Sequence, residues 1–191
     1  MSLIKSISGI RGTIGGVPDE NLTPIDAVKF AAAYGFWLKN HIHKTRIKVV
    51  VGRDARLSGE MVQNLVQYTL IGLGIDVVDL GLSTTPTVEV AVTIEQADGG
   101  IILTASHNPK QWNALKLLNN QGEFLNAQEG EEILRIAADN SAVFAEVDAL
   151  GTLSHNDTYI QRHIDAALSL LPLATIEAIR QRRFRVVVDA V

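Results

Sequence analysis

Cysteine is missing altogether, which excludes a disulfide framework, a thiolate metal site and a cysteine nucleophile. That absence fits a reducing cytoplasm, where we place the protein. No dominant charge of one sign exists either. The formal net charge is −4, against the basic balance of a general nucleic-acid binder, so no nucleic-acid partner is expected. The densest basic stretch, Arg180, Arg182, Arg183 and Arg185, is interrupted and reads as a solvated helix end. The opening residues, Met1 to Gly16, lack the apolar core of a signal peptide. No apolar run approaches the roughly 20 residues of a membrane span, so no membrane partner is expected. Internal repeats and low-complexity segments are also missing.

What remains is enough to build a core. Hydrophobic residues make up 47% and charged residues 20% of 191. The strand-like runs Ile47 to Val51, Asp76 to Leu80 and Gly100 to Thr104 are short, β-branched and continuous, the pattern of strands buried on both faces. Helical stretches with start signals separate them. Thr23-Pro24 supplies a cap and a first-position proline, with Asp26 in the first turn, and Ile25, Val28, Ala32 and Phe36 follow at helical spacing. Ser58 opens a second helix, Thr85-Pro86 a third, and Asn126 with Glu129 caps a fourth. Ala114 to Phe124 reads as strand, turn and strand around Asn119 to Gly122.

Alternation of strand and helix predicts an α/β fold. After about residue 140 the character changes: a polar stretch from Gly151 to Asp157, two helices, then an apolar strand from Phe184 to Val191. We expect one domain over 1–150 and, over 151–191, a linker, helices and the first strand of a second domain. The alternative is that the last strand pairs into the first sheet.

The chemistry concentrates in Thr104-Ala105-Ser106-His107-Asn108-Pro109, directly after a buried strand, where ligand sites of open α/β sheets lie. On residues alone this is a turn whose serine and asparagine satisfy backbone groups. A serine-hydrolase reading is poor, since adjacent Ser and His side chains rarely pair and no Gly-x-Ser-x-Gly elbow exists.

Four segments in order change that reading. Ser8-Gly9-Ile10-Arg11-Gly12, Gly52-Arg53-Asp54-Ala55-Arg56-Leu57-Ser58-Gly59, the Ser106 loop and Asn113-Ala114-Leu115-Lys116 resemble the motifs of the α-D-phosphohexomutases. The resemblance covers roughly residues 4 to 190. It implies a three-layer αβα sandwich with a mixed, mostly parallel sheet, followed by the beginning of a second similar domain. It also implies a mutase that interconverts hexose 1- and 6-phosphates through a phosphoserine at Ser106 and a bisphosphorylated sugar. The opening segment and the serine loop look most like bacterial phosphoglucosamine mutases; phosphomannomutases and phosphoglucomutases are the alternatives.

By the same resemblance Arg11, Lys116 and His107 join Ser106 in catalysis, with Lys116 as a proton-transfer group. Asn108, Ser8 and Arg53 contact phosphate or substrate. Each has a plainer reading: Lys116 as an exposed strand lysine, Arg53 with Asp54 as a loop-ordering ion pair, Ser58 as a helix cap and Trp112 as packing. Ala114 stands where the family usually has glycine, which would restrict the backbone ahead of Lys116. Mg²⁺ is implied as the metal, held through the phosphate on Ser106, and a sugar bisphosphate as activator. The family's Asp-Gly-Asp-x-Asp-Arg metal loop is absent from these residues, so we expect the chain alone not to hold the ion tightly. A hexose or hexosamine phosphate is the expected substrate, and a non-catalytic phospho-ligand-binding domain is the reading from another class.

Overall fold

The structure, a computed structural model, describes residues 2–6 and 9–189. Helix α1 (Pro24–His41) starts at a full capping box: Thr23 and Asp26 each bond the other's backbone N–H, and Pro24 occupies a position whose N–H has no helical partner. Of the expected stripe, Ile25 is exposed, Ala32 is buried and Phe36 packs at the edge of the core, so the stripe does not mark the centre of the core face. Ala27, Phe30, Ala31, Tyr34 and Leu38 point inward instead. Helix α2 (Gly59–Gly72) follows Ser58, and α3 (Thr85–Ile94) is capped by Thr84, one residue before the expected position. Helix α4 (Ala127–Asp139) has the Asn126–Glu129 capping box that its sequence suggests.

Seven strands form one sheet: β1 (Ile4–Ser6), β2 (Gly9–Thr13), β3 (Ile47–Arg53), β4 (Ile75–Leu82), β5 (Gly99–Leu103), β6 (Trp112–Leu118) and β7 (Leu153–His155). Their spatial order is β1-β2-β6-β5-β3-β4-β7. The sheet is mixed, with parallel and antiparallel pairings in equal number rather than mostly parallel. The antiparallel half arises because β6 folds straight back along β5 and then accepts β2 on its far edge. Residues of α1, α2 and α4 pack on one face of the sheet, while α3 and Tyr159 pack on the other. These are the three layers of an αβα sandwich.

The sheet runs on past residue 150. Strand β7 pairs with β4, and Asp76 accepts bonds from the Thr152 backbone N–H (2.9 Å) and hydroxyl (2.8 Å). Helix α5 (Tyr159–Ser169) begins with the buried Tyr159, whose hydroxyl donates to Glu95 at 2.8 Å. Packing onto the sheet thus continues across 150/151 and into α5, where His163 Nδ1 lies 3.1 Å from Thr87 Oγ1. Helix α6 (Leu173–Arg182) buries no side chain, and Arg180 and Arg182 sit in its exposed last turn. The expected strand from Phe184 is not formed: residues 184–189 are exposed and lie in no strand, and 190–191 lie outside the described residues. Among the described residues no helix is long and apolar enough to cross a membrane.

Candidate active site

Strand β5 delivers the chain to the serine loop at its carboxyl end. Ser106 has φ +52°, a left-handed conformation that a residue with a Cβ adopts only under constraint. The constraint is visible on both sides. The Ser106 backbone N–H donates to Thr104 Oγ1 at 3.0 Å, and Thr104 Oγ1 in turn donates to Asp54 Oδ2 at 2.6 Å. The Ser106 carbonyl accepts from Arg56 Nη2 at 2.7 Å. Asn108 N–H closes a turn onto Ala105, and Trp112 N–H another onto Pro109.

Ser106 lines a cavity of about 250 Å³ together with Arg11, His107, Asn108 and Lys116. The sheet explains how residues so distant in sequence meet. Arg11 pairs with Ala114 across β2 and β6, and Lys116 is two residues along β6, so Arg11, Ala114 and Lys116 share one sheet face. Lys116 is half-buried with Nζ 5.7 Å from the centre of the Phe124 ring, and is therefore no ordinary exposed lysine. Gly9, also on the wall, has φ +127°, and a Cβ there would run into the Leu115 carbonyl. Ala114 does not disturb the approach to Lys116. It lies in regular extended strand, where its methyl is part of the cavity wall.

Three expectations from the sequence need correction. Arg53 does not face the cavity: its Nε donates to Gln63 Oε1 at 2.6 Å and its Nη1 to the Asp54 carbonyl at 3.2 Å. Gln63 reaches on to Asp79, so Arg53 is occupied beneath the loop. The ion pair of that segment is Arg56–Asp54 at 3.1 Å, not Arg53–Asp54. Ser58 makes no side-chain cap bond to α2; its hydroxyl accepts from the fully buried Asn113 at 3.0 Å. Ser8 lies outside the described residues. Trp112 begins β6 and is part-buried, as a packing residue should be.

Sequence reasoning missed Arg56, Thr104 and Phe124. Arg56 stood in a quoted motif, but besides Asp54 its partners are four main-chain carbonyls, which leave no trace in side-chain pattern. For Phe124, the hint was an apolar residue just past the turn that follows Lys116.

Arg11 and Lys116 make the cavity cationic, suited to a phosphate rather than to a bare metal ion. Among the described residues no group of three or more His, Cys, Asp or Glu side chains is placed to hold a metal. The described residues do not make an Mg²⁺ site of their own.

Residues 4–143 match the family described as phosphoglucomutase/phosphomannomutase, alpha/beta/alpha domain I. The chain belongs to the phosphoglucomutase/phosphomannomutase family. It is 37% identical over 180 residues to a phosphoglucomutase/phosphomannomutase of Thermococcus kodakarensis, covering 93% of this chain and 38% of that protein. A phosphoglucosamine mutase of Ligilactobacillus salivarius is 37% identical over 147 residues, 75% of this chain and 33% of the relative. A crystal structure of a phosphoglucomutase/phosphomannomutase family protein from Burkholderia thailandensis shares the fold with TM-score 0.69 and 24% identity, covering 83% of this chain and 34% of that one. The chain thus spans little more than a third of the relatives it matches, and the part matched is the family's first domain, the one that carries the serine loop here.

Proposed function

We propose that this chain is the phosphoserine domain of a phosphosugar mutase that interconverts hexose or hexosamine 1- and 6-phosphates. The observation that carries the reading is Ser106, held left-handed at the wall of a cavity that it shares with Arg11 and Lys116. Phosphoserine brings about −1.5 to −2 charge near neutral pH, and phosphoryl transfer depends on positioning and on stabilising the phosphoryl oxygens. Arg11 supplies a permanent positive charge with planar, paired donors. His107 and Asn108 add donors at the mouth.

In the transfer step the bond from phosphorus to Ser106 Oγ breaks as one to a sugar hydroxyl oxygen forms. The proton that the sugar hydroxyl gives up replaces the phosphoryl group on Ser106 Oγ, so the step is balanced without an outside acid or base. Lys116 is the group in the cavity to carry a proton to that oxygen. The sugar, now carrying two phosphates, turns over and returns the other to Ser106, which regenerates the phosphoserine. Mg²⁺ and a sugar bisphosphate activator belong to this reading: an oxygen of the serine phosphate would be a metal ligand, with the others supplied from outside the described residues. Phosphoglucosamine is the favoured substrate, supported by the amino-sugar mutase among the relatives; glucose and mannose phosphates are the competitors.

Intact-mass measurement after incubation with glucose 1,6-bisphosphate tests the first half-reaction. Wild type should gain one phosphoryl group and Ser106→Ala none, and mutase turnover of the protein carrying this domain should fall at least about a thousandfold in Ser106→Ala. Retained transfer in that variant overturns the assignment. Phosphate binding with no phosphorylation of wild type would favour the binding-domain reading instead.

A further inference from the structure

We propose that Arg56 is a positioning residue for phosphoryl transfer, a clamp that fixes the Ser106 backbone without touching the phosphate; this rests on the phosphoserine reading above. A guanidinium has five N–H donors, and here five acceptors meet it. Nη1 bonds the carbonyls of Pro109 (2.9 Å) and Trp112 (3.0 Å), and Nη2 those of Ser106 (2.7 Å) and Asn108 (2.8 Å). Nε bonds Asp54 Oδ2 at 3.1 Å. The Arg56 side chain is only 11% exposed and does not line the cavity. With every hydrogen committed, it could reach a phosphate only by releasing the loop.

Its effect on Ser106 is specific. Arg56 holds the carbonyl of the residue, while Asp54, through Thr104 Oγ1, holds the N–H. The same carboxylate accepts from Arg56 Nε, so one ion pair controls both ends of the residue. The strained φ of +52° is thereby kept, and rotation about the Cα–Cβ bond is the main freedom left to the nucleophile. Lysine cannot replace this clamp, because its three donors on a single nitrogen cannot serve five acceptors spread along a loop.

The test compares Arg56→Lys and Thr104→Val with wild type in two readouts. In the chain described here, amide hydrogen exchange at Ser106, Asn108 and Trp112 should accelerate at least about tenfold in Arg56→Lys, with β3 and α2 amides unchanged. In the mutase assay, kcat should fall about a hundredfold while KM for the sugar phosphate stays within about threefold, because misplacement of the nucleophile weakens transfer and not binding. Thr104→Val, which keeps the core packed, should accelerate exchange at Ser106 and lower kcat with KM likewise held. Unchanged loop exchange overturns the clamp. Accelerated exchange with wild-type kcat, or a loss confined to KM, overturns its role in transfer. Failure of wild type itself to phosphorylate Ser106 overturns the function, and the exchange readout then still decides the clamp.

Discussion

At Ser106 stability and chemistry pull in opposite directions. The left-handed conformation costs a residue with a Cβ about 1–2 kcal/mol relative to glycine. Ser106→Gly should therefore be more stable than Ser106→Ala by about 1 kcal/mol, read as the difference in urea midpoints, although both lose the hydroxyl. Equal stability would mean that the loop relaxes out of the left-handed region once the hydroxyl is gone. That Ser106, Arg11 and Lys116 share one cavity was legible in sequence because each stands in a short motif, and the serine follows a run apolar enough to be a buried strand. Arg56 and Thr104 were not, since their work is done on backbone groups. Arg53 was misjudged for a related reason: an arginine beside an aspartate in sequence need not pair with it, and here the side chain two residues on takes that partner.

Among the elements, β7 and the start of α5 depend on a polar lock built around Glu95. Burial pushes the Glu95 carboxyl up, but bonds from Tyr159, Lys48 and Asn156 outweigh it and hold it below its ordinary value. Burial, then the bond to Glu95, pushes the Tyr159 hydroxyl up to about 12. A raised folded value means that the contribution is complete below the unfolded value of 10.0 and is lost as pH climbs toward 12. Far below, it weakens again as Glu95 protonates, under its ordinary value of 4.5. Tyr159→Phe should cost about 1–2 kcal/mol at neutral pH and flatten the alkaline loss, measured by urea unfolding at pH 7 and pH 11. An unchanged alkaline slope would assign that loss to other groups. Helix α1 was legible from its threonine cap and first-position proline, and α4 from its capping box. Strand β7 was not, because three residues with a polar pair carry too little periodicity, and it is held by Asp76 and a parallel partner distant in sequence.

For the molecule as a whole, the core closes at Tyr159 and leaves α6 and residues 184–189 without buried side chains. Removing residues 171–191 should shift the thermal midpoint by no more than about 2 °C, whereas ending the chain at Leu150 removes β7 and Tyr159 and should lower it by about 10 °C or more. Similar losses from both truncations would place α6 in the cooperative unit. The two-layer covering of the sheet was foreseeable from continuous apolar strands, but the strand order was not, because nothing in the local pattern says that β2 waits for β6.

That order has a consequence for synthesis. The chain emerges amino terminus first, and β2 is complete about a hundred residues before its partner β6. At about 5–20 residues per second, Arg11 spends roughly 5–20 seconds outside the ribosome before the strand that places it exists. During that interval the β1–β2 edge presents open backbone groups to whatever is nearby, and Arg11 waits about a hundred residues for the strand that sets it beside Lys116.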